Sequence, residues 1–395
     1  MYNSLIVNLE AFQQNLLLAF KLSLRVKKKE AVLEQMEQEL SPSEKIKQLT
    51  SKGFSDEIIP VLKCNAYGVG AQELSLVCKR SGIEKVAVVR LNEAMEIKDV
   101  APNILIMNAL PEEELETAIK NDFILTAYLK EHLEQIDKIA MGVKKQVKVH
   151  LKINSGMNRF GVDVRDINDF FQSVKKAENI KVESLFTHYH NAFNSDPSYT
   201  QKQFDLFQEV LTQFGDNVHH HMGNSAALMH YPQFISGTSR PGIMLYGSYP
   251  SEWMVEKYKE MLKPVVELKS RVIQVRSLKK GEYVGYGEWS MLEEDAIIAL
   301  IPIGYGDGYH RNATKNNYVL INKKPFHLFG TVSMDSLTIK VDESVKVGDE
   351  VILFGGNQKG APSVDETAKE MGIIPYELLT GINSRVERKY LYGKG

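Results

Sequence analysis

The chain of 395 residues has the length of two domains, or of three small ones. Its 43% hydrophobic and 25% charged residues supply a large core and exclude disorder, a collagen-like repeat and a disulfide scaffold. The 48 basic and 50 acidic residues leave a net charge of −2, so nothing points to nucleic acid or an anionic membrane, and the expected partner is a small molecule or a second copy of the chain.

Two cysteines, Cys64 and Cys78, are too few for a disulfide framework or a four-cysteine zinc site. The longest apolar run, Ala296 to Ile303, has strand length and falls well short of a membrane helix. Glu10 interrupts the first apolar stretch and no basic segment precedes it, so no signal peptide is expected and the protein is read as cytoplasmic.

The run Ser4 to Val7 precedes a helical stretch and can pair with either domain. Residues 25–55 are Lys- and Glu-rich and helix-prone, and are expected to form a polar helical excursion on the surface. From residue 57 to about 245, eight β-rich runs alternate with helical patterns: Ile58 to Lys63, Lys85 to Val89, Ile104 to Asn108, Phe123 to Tyr128, Val147 to Asn154, Val182 to His188, Val218 to Met222 and Thr238 to Leu245. Such alternation predicts βα units, and eight parallel strands fit a closed TIM-type (β/α)8 barrel better than an open sheet. Beyond about residue 262, short alternating strands separated by Gly-containing turns predict a mainly antiparallel β domain. The expected domains are therefore 1–260 and 261–395, with residues 1–8 as a strand that can join the second.

In a parallel barrel the active site lies at the carboxyl ends of the strands. Here those ends are polar: Lys63 with Cys64-Asn65-Ala66-Tyr67-Gly68, Lys152 leading to Arg159, His188, Gly223-Asn224-Ser225, and Arg240-Pro241-Gly242. Cations beside exposed glycine backbone suit an anionic ligand, and a phosphate near the last two strands is the usual barrel arrangement. Lys63 ends an apolar strand, so its ammonium is either desolvated, which makes the amine nucleophilic, or snorkels to solvent. His219 to His221 alternate faces on a strand with no further ligand at metal spacing, so no metal site is expected. Cys64 is expected on the opposite strand face from Lys63, as a buried hydrophobe.

The segment Val61-Leu62-Lys63-Cys64-Asn65-Ala66-Tyr67-Gly68 closely resembles the pyridoxal phosphate (PLP) lysine motif of the alanine racemase family, a barrel followed by a β domain. Eight further segments follow in the family's order: His150 to Arg159, Thr187-His188, Asn224 to Ala227, Arg240 to Gly247, Gly285-Tyr286-Gly287, Ile303 to Tyr309, Ser333-Met334-Asp335 and Arg385 to Arg388. The resemblance implies a PLP-dependent homodimer acting on a small amino acid. By it, Lys63 carries PLP as a Schiff base. Tyr67, Ser225, Tyr305 and the backbone of Gly242 and Ile243 cradle the phosphate, with Asn224 close by. Arg240 faces the ring nitrogen, His188 lies near the ring, and Arg159 sits beside the phenolic oxygen and the substrate. Met334 receives the substrate carboxylate through its N–H. Lys63 and Tyr286 are the two bases for Cα proton transfer, Tyr286 coming from the partner subunit. Lys152 stands where many members carry a carbamylated lysine, the alternative being an ordinary strand lysine. Asp307 and Asp335 read as turn or supporting residues.

Several positions depart from the family pattern. Asn154-Ser155 replace an Asp-Thr pair, Val69 replaces a His, Thr331 an Arg, and Ser384 a tyrosine that narrows the pocket in alanine-specific members. The missing ring leaves room for a longer side chain, part of which Trp289 is able to refill. Alanine racemisation is thus the leading expectation, with a broad-specificity or serine, lysine or ornithine racemase as the alternative. A PLP amino-acid decarboxylase is more remote, because that class places a carboxylate at the ring nitrogen and a cysteine near the C-terminus. A non-enzymatic PLP-binding protein would lack the second domain.

Overall fold

The computed structural model describes residues 2–29, 31–34, 39–215, 218–287 and 290–392; Trp289 lies outside them. The chain divides into two compact units, one of Leu16–Ala66 and Ala71–Gly242, the other of Met1–Asn15, Tyr67–Gly70 and Ile243–Gly395.

The first unit is a closed ring of parallel strands. Lys85–Val88 pairs with Asn103–Ile106, and Leu125–Ala127, Val147–Asn154, Ile180–Phe186, His220–Gly223 and Thr238–Ser239 pair in that order. Parallel bridges join the pieces: Leu105 to Ile124, Val61 to Ala87, and Ile58 to Ser239, which closes the circle. Sequence periodicity foresees this barrel because its strands are apolar on both faces, as burial under a layer of helices requires. His150 and Lys152, two residues apart on Val147–Asn154, share one face of that strand and are buried.

Residues 25–55 differ from expectation in one respect. Its described residues include the helices Ala31–Glu34 and Pro42–Leu49, but Ile46 and Leu49 on the latter are fully buried, and Lys27 and Lys29 pair with the buried Glu57. Charge density alone hides such a narrow apolar stripe.

In the second unit, one six-stranded sheet is ordered Lys324–His327, Tyr318–Ile321, Glu350–Gly355, Val266–Arg271, Ser4–Asn8 and Glu387–Leu391. The N-terminal strand pairs antiparallel with Val266–Arg271 and parallel with Glu387–Leu391. A second sheet holds Gln274–Leu278, Ala296–Ile301 and Leu337–Val341, all antiparallel. The packing boundary at Gly242/Ile243 lies ahead of the sequence boundary near 260. Asn15 Nδ2 donates to the carbonyls of Leu245 and Lys263, and Tyr249 N–H donates to Asp365 Oδ1 at 2.9 Å, which ties this stretch to the β unit.

After Leu62 the chain does something that hydropathy does not encode. Cys64, Asn65, Ala66 and Tyr67 all have φ between 50° and 56°, a left-handed turn in four consecutive non-glycine residues. Each such residue costs about 1–2 kcal/mol, so neighbours must hold it. Cys64 N–H donates to Glu93 Oε1 at 2.6 Å, Ala66 N–H to the Leu62 carbonyl at 2.8 Å, and Ala71 N–H to Asn65 Oδ1 at 2.7 Å. Cys64 is therefore exposed on the turn, not buried on a strand face; only Cys78 is the buried hydrophobe. Glu93 also accepts from Val89 and Arg90 N–H, at 2.8 and 3.1 Å, and so fixes the turn to the start of Leu91–Ile97. Replacing it, Glu93→Ala, should cost about 2 kcal/mol in urea unfolding, and an unchanged midpoint would show that the turn does not depend on it.

Candidate active site

Lys63 begins the left-handed turn, half-buried. Burial lowers its ammonium below the ordinary lysine value; Cys64 opposes this, Arg159 adds to the lowering, and Glu93 opposes it last and least. The amine is thereby biased toward its nucleophilic form.

The interior around it is cationic. Lys152 is only 4% exposed, its Nζ 4.7 Å from the centre of the Phe186 ring and 5.6 Å from that of Phe160. Burial, then Arg240, then Arg159 hold Lys152 well below the usual lysine range. His188 is likewise pushed well below its ordinary value by burial and by Arg240, Lys152, Arg159 and Lys63, all four of them cations. These side chains act on one point, and each of those contributions has the same sign.

Arg240 is fixed on several sides. Its Nη2 donates to the Thr187 carbonyl at 2.6 Å and lies 3.3 Å from His188 Nδ1, and its Nη1 lies 2.7 Å from His221 Nδ1. Phe186 stacks on the His221 ring with 4.7 Å between centroids. Burial pulls the guanidinium down to about 9, so it stays charged at neutral pH. Thr187 is stitched to the neighbouring strand end, its hydroxyl 2.7 Å from Ser155 Oγ and 3.0 Å from the Ile153 carbonyl. Gly242 N–H donates to Ser225 Oγ at 2.9 Å, bringing together two residues expected to bind phosphate. Asn224 caps Ser225–His230, its Oδ1 accepting from Ala227 N–H at 2.9 Å. The loop that carries Arg159 is organised by Asn154, which accepts from Gly156 and Asn158 N–H and donates to Asp163.

The β unit holds the other expected residues. Tyr286 is 72% exposed, and Thr331 donates to its carbonyl at 3.0 Å. Tyr305 N–H donates to Ser333 and Gly306 N–H to Met334, at 3.1 and 2.8 Å, so Tyr305 and Met334 share one loop pair. A Cβ on Gly304 would meet the Ser333 carbonyl at 2.2 Å, which explains glycine there. Arg385 bridges Asp307 and Asp335, and Ser384 beside it is exposed. Tyr67 is buried with its ring 4.6 Å from Tyr246, within the short helical segment Ile243–Tyr246 that begins with the buried Ile243. Arg388 spans Gly68 and the 382–386 turn, donating to the carbonyls of Gly68, Ile382, Asn383 and Val386.

Five expected residues, Lys63, Lys152, Arg159, His188 and Arg240, thus act on one another within the barrel unit, while Tyr286, Tyr305 and Met334 lie in the β unit. Of the three consecutive histidines, His221 turns inward to Arg240, and no metal-holding cluster occurs among the described residues. Sequence reasoning missed Glu93 and singled out Asn154 only as a departure from the family pattern. Glu93 stands three residues after Arg90, a capping position readable in principle. The role of Asn154 rests on a loop conformation that no short pattern announces.

Residues 43–250 match the alanine racemase N-terminal domain and residues 265–390 the alanine racemase C-terminal domain. The chain is 36% identical over 345 residues to the alanine racemase of Methanococcus maripaludis, covering 85% of this chain and 92% of that one. Its structure resembles that of alanine racemase from Clostridium difficile 630, with a TM-score of 0.85, 30% identity, and coverage of 100% and 96%. It also shares the fold of the Bartonella henselae alanine racemase with covalently bound pyridoxal phosphate, with a TM-score of 0.82, 24% identity, and coverage of 99% and 100%. With both domains matched in order and the fold shared from end to end, the chain belongs to the alanine racemase family.

Proposed function

We propose that the protein interconverts L- and D-alanine with PLP held on Lys63, and that it works as a cytoplasmic homodimer. The observation that carries this reading is the convergence of Lys63, Lys152, Arg159 and Arg240 on His188 at the strand ends of the barrel. Such a donor set fits PLP: the phosphate and the phenolic oxygen are anionic, and Lys63 is an amine poised for covalent attachment. When bound, PLP supplies the electron sink that makes the Cα–H bond of an amino acid acidic.

The chain's own residues divide the rest of the work. Lys63 Nζ holds the proton on one face of Cα and the Tyr286 hydroxyl on the other, Tyr286 being brought by the partner subunit. Arg159 and the Met334 N–H orient the substrate carboxylate. Tyr67, Ser225, Gly242, Ile243 and Tyr305 bind phosphate. Asn224 supports them through its cap on the helix that begins at Ser225. Arg240 has only donors, and at neutral pH it would give the ring nitrogen of bound PLP a hydrogen bond without releasing a proton. That would restrain charge from spreading into the ring, which suits proton exchange at Cα with few side reactions such as transamination. Lys152, buried and biased to the neutral amine, is suited to carbamylation, after which a carboxylate would face the guanidinium of Arg159. No helix among the described residues is long and apolar enough to cross a membrane.

One position favours a second reading. Ser384 is exposed beside Arg385 where the alanine-specific pattern has a tyrosine, so the pocket admits serine, lysine or ornithine. Comparison of kcat/KM for these four amino acids decides between the readings: negligible turnover of alanine beside a fast larger substrate would overturn alanine specificity.

In D2O, alanine recovered from the wild-type enzyme should carry deuterium at Cα from either enantiomer. Tyr286→Phe should lose this exchange for one enantiomer by about 100-fold or more and keep it for the other; equal loss for both would contradict the two-base assignment. Native mass spectrometry should show the carbamate increment on wild type and lose it in Lys152→Ala. Its absence from gently handled wild type would leave Lys152 an ordinary buried lysine.

A further inference from the structure

The hydrogen-bonded path does not end at Arg240. His221 Nδ1 lies 2.7 Å from Arg240 Nη1, and His221 Nε2 lies 2.8 Å from His150 Nδ1. Beyond it, His150 Nε2 faces Glu183 Oε2 at 3.7 Å. All four residues belong to the barrel unit.

The direction of the path follows from its first member. A guanidinium has no acceptor, so His221 Nδ1 must accept and the His221 proton must sit on Nε2. That proton is donated to His150 Nδ1, which places the His150 proton on Nε2, aimed at the carboxylate. At 3.7 Å the last step is longer than a hydrogen bond, but both of its atoms are buried and neither has another partner. A shift of about 1 Å in the Glu183 side chain completes the path. Lys148 holds the other carboxylate oxygen at 3.1 Å. Burial keeps both histidines neutral, and for His221 the charge of Arg240 adds to it. Glu183 is held down to about 2, first by His150, and so is a carboxylate at any working pH.

We propose that Glu183 and His150 are positioning residues for Arg240: the carboxylate fixes the Nε2–H form of His150, which fixes that of His221, which keeps an acceptor nitrogen under the guanidinium. Without an acceptor at position 183, the buried His150 N–H is unpaired. The pair can then relieve it only by reversing both tautomers, which turns an N–H of His221 against Arg240. Neither residue touches substrate. The kinetic consequence rests on the racemase reading above, whereas the tautomers do not.

The test uses holoenzyme with 15N-labelled histidine, in which ring nitrogen shifts report tautomers directly, with His150→Gln and His221→Gln for assignment. Wild type should show His150 and His221 both protonated on Nε2 only. Glu183→Gln, whose amide oxygen still accepts, should keep that spectrum and a kcat within about threefold of wild type. Glu183→Leu should show a second His221 population protonated on Nδ1, with kcat for alanine lowered about tenfold and KM changed less than twofold. His221 found protonated on Nδ1 in wild type, or an unaltered spectrum in Glu183→Leu, would overturn the proposal. Equal losses in the two variants would do so as well, because both lose the charge and the ion pair with Lys148. The wild-type spectrum decides the direction of the path even if Glu183→Leu does not fold. Expected tautomers in a protein that fails to racemise alanine would uphold the path and remove the racemase reading instead.

Discussion

A guanidinium buried to 4% exposure must find acceptors, because it has nothing but donors and its desolvation is otherwise very costly. Around Arg240 the barrel supplies a carbonyl from Thr187 and ring nitrogens from His188 and His221. This requirement reaches well beyond one residue. It sets the tautomer of His221, it makes protonation of His188 and His221 unfavourable, and it demands that the strand ends carrying Thr187 and Gly223 keep their register. The Arg240 N–H itself donates to the Gly223 carbonyl at 2.6 Å, so backbone and side chain are fixed together. Burial and neighbouring cations lower the amines gathered in the barrel interior, the condition that leaves them available as bases.

The second constraint is backbone strain just after Lys63. Four successive left-handed residues follow Lys63, and the groups that hold them come from distant parts of the sequence. On the barrel side Glu93 and Asn65 take up the N–H groups. In the β unit, Arg388 gathers the Gly68 carbonyl with three others, and Gly68 itself has φ +80° with the Leu379 carbonyl 2.3 Å from where a Cβ would stand. Strain distributed in this way gives Lys63 a defined exit from its strand, which a relaxed loop would not.

These particulars explain what was legible beforehand. The barrel was visible because two-sided burial writes continuous apolar runs, and the β domain because half-burial writes alternation. Lys63, His188, Arg240 and Tyr286 were visible because they stand in short motifs of the alanine racemase pattern. Cys64 was misplaced for a physical reason: strand alternation was extended one residue too far, into a turn whose left-handed form has no hydropathy signal. Ile46 and Leu49 were hidden by the lysines and glutamates around them. Glu183 sits on a strand between Lys181 and residues facing the core, and only the three-dimensional path from Arg240 separates it from an ordinary surface carboxylate.

The distribution of groups between the two units bears on how such a protein changes substrate. The groups that tune charge, Lys63, Lys152, His188, His221 and Arg240, belong to the barrel and are coupled, so altering one shifts the others. Ser384 belongs to the β unit, in the turn held by Arg385 and Arg388, and is a neutral residue. Serine in place of tyrosine there removes volume and an aromatic face. The sequence thus keeps the family's motifs on the barrel while departing from the family pattern at Ser384 on the β unit, and the second reading above rests on that combination.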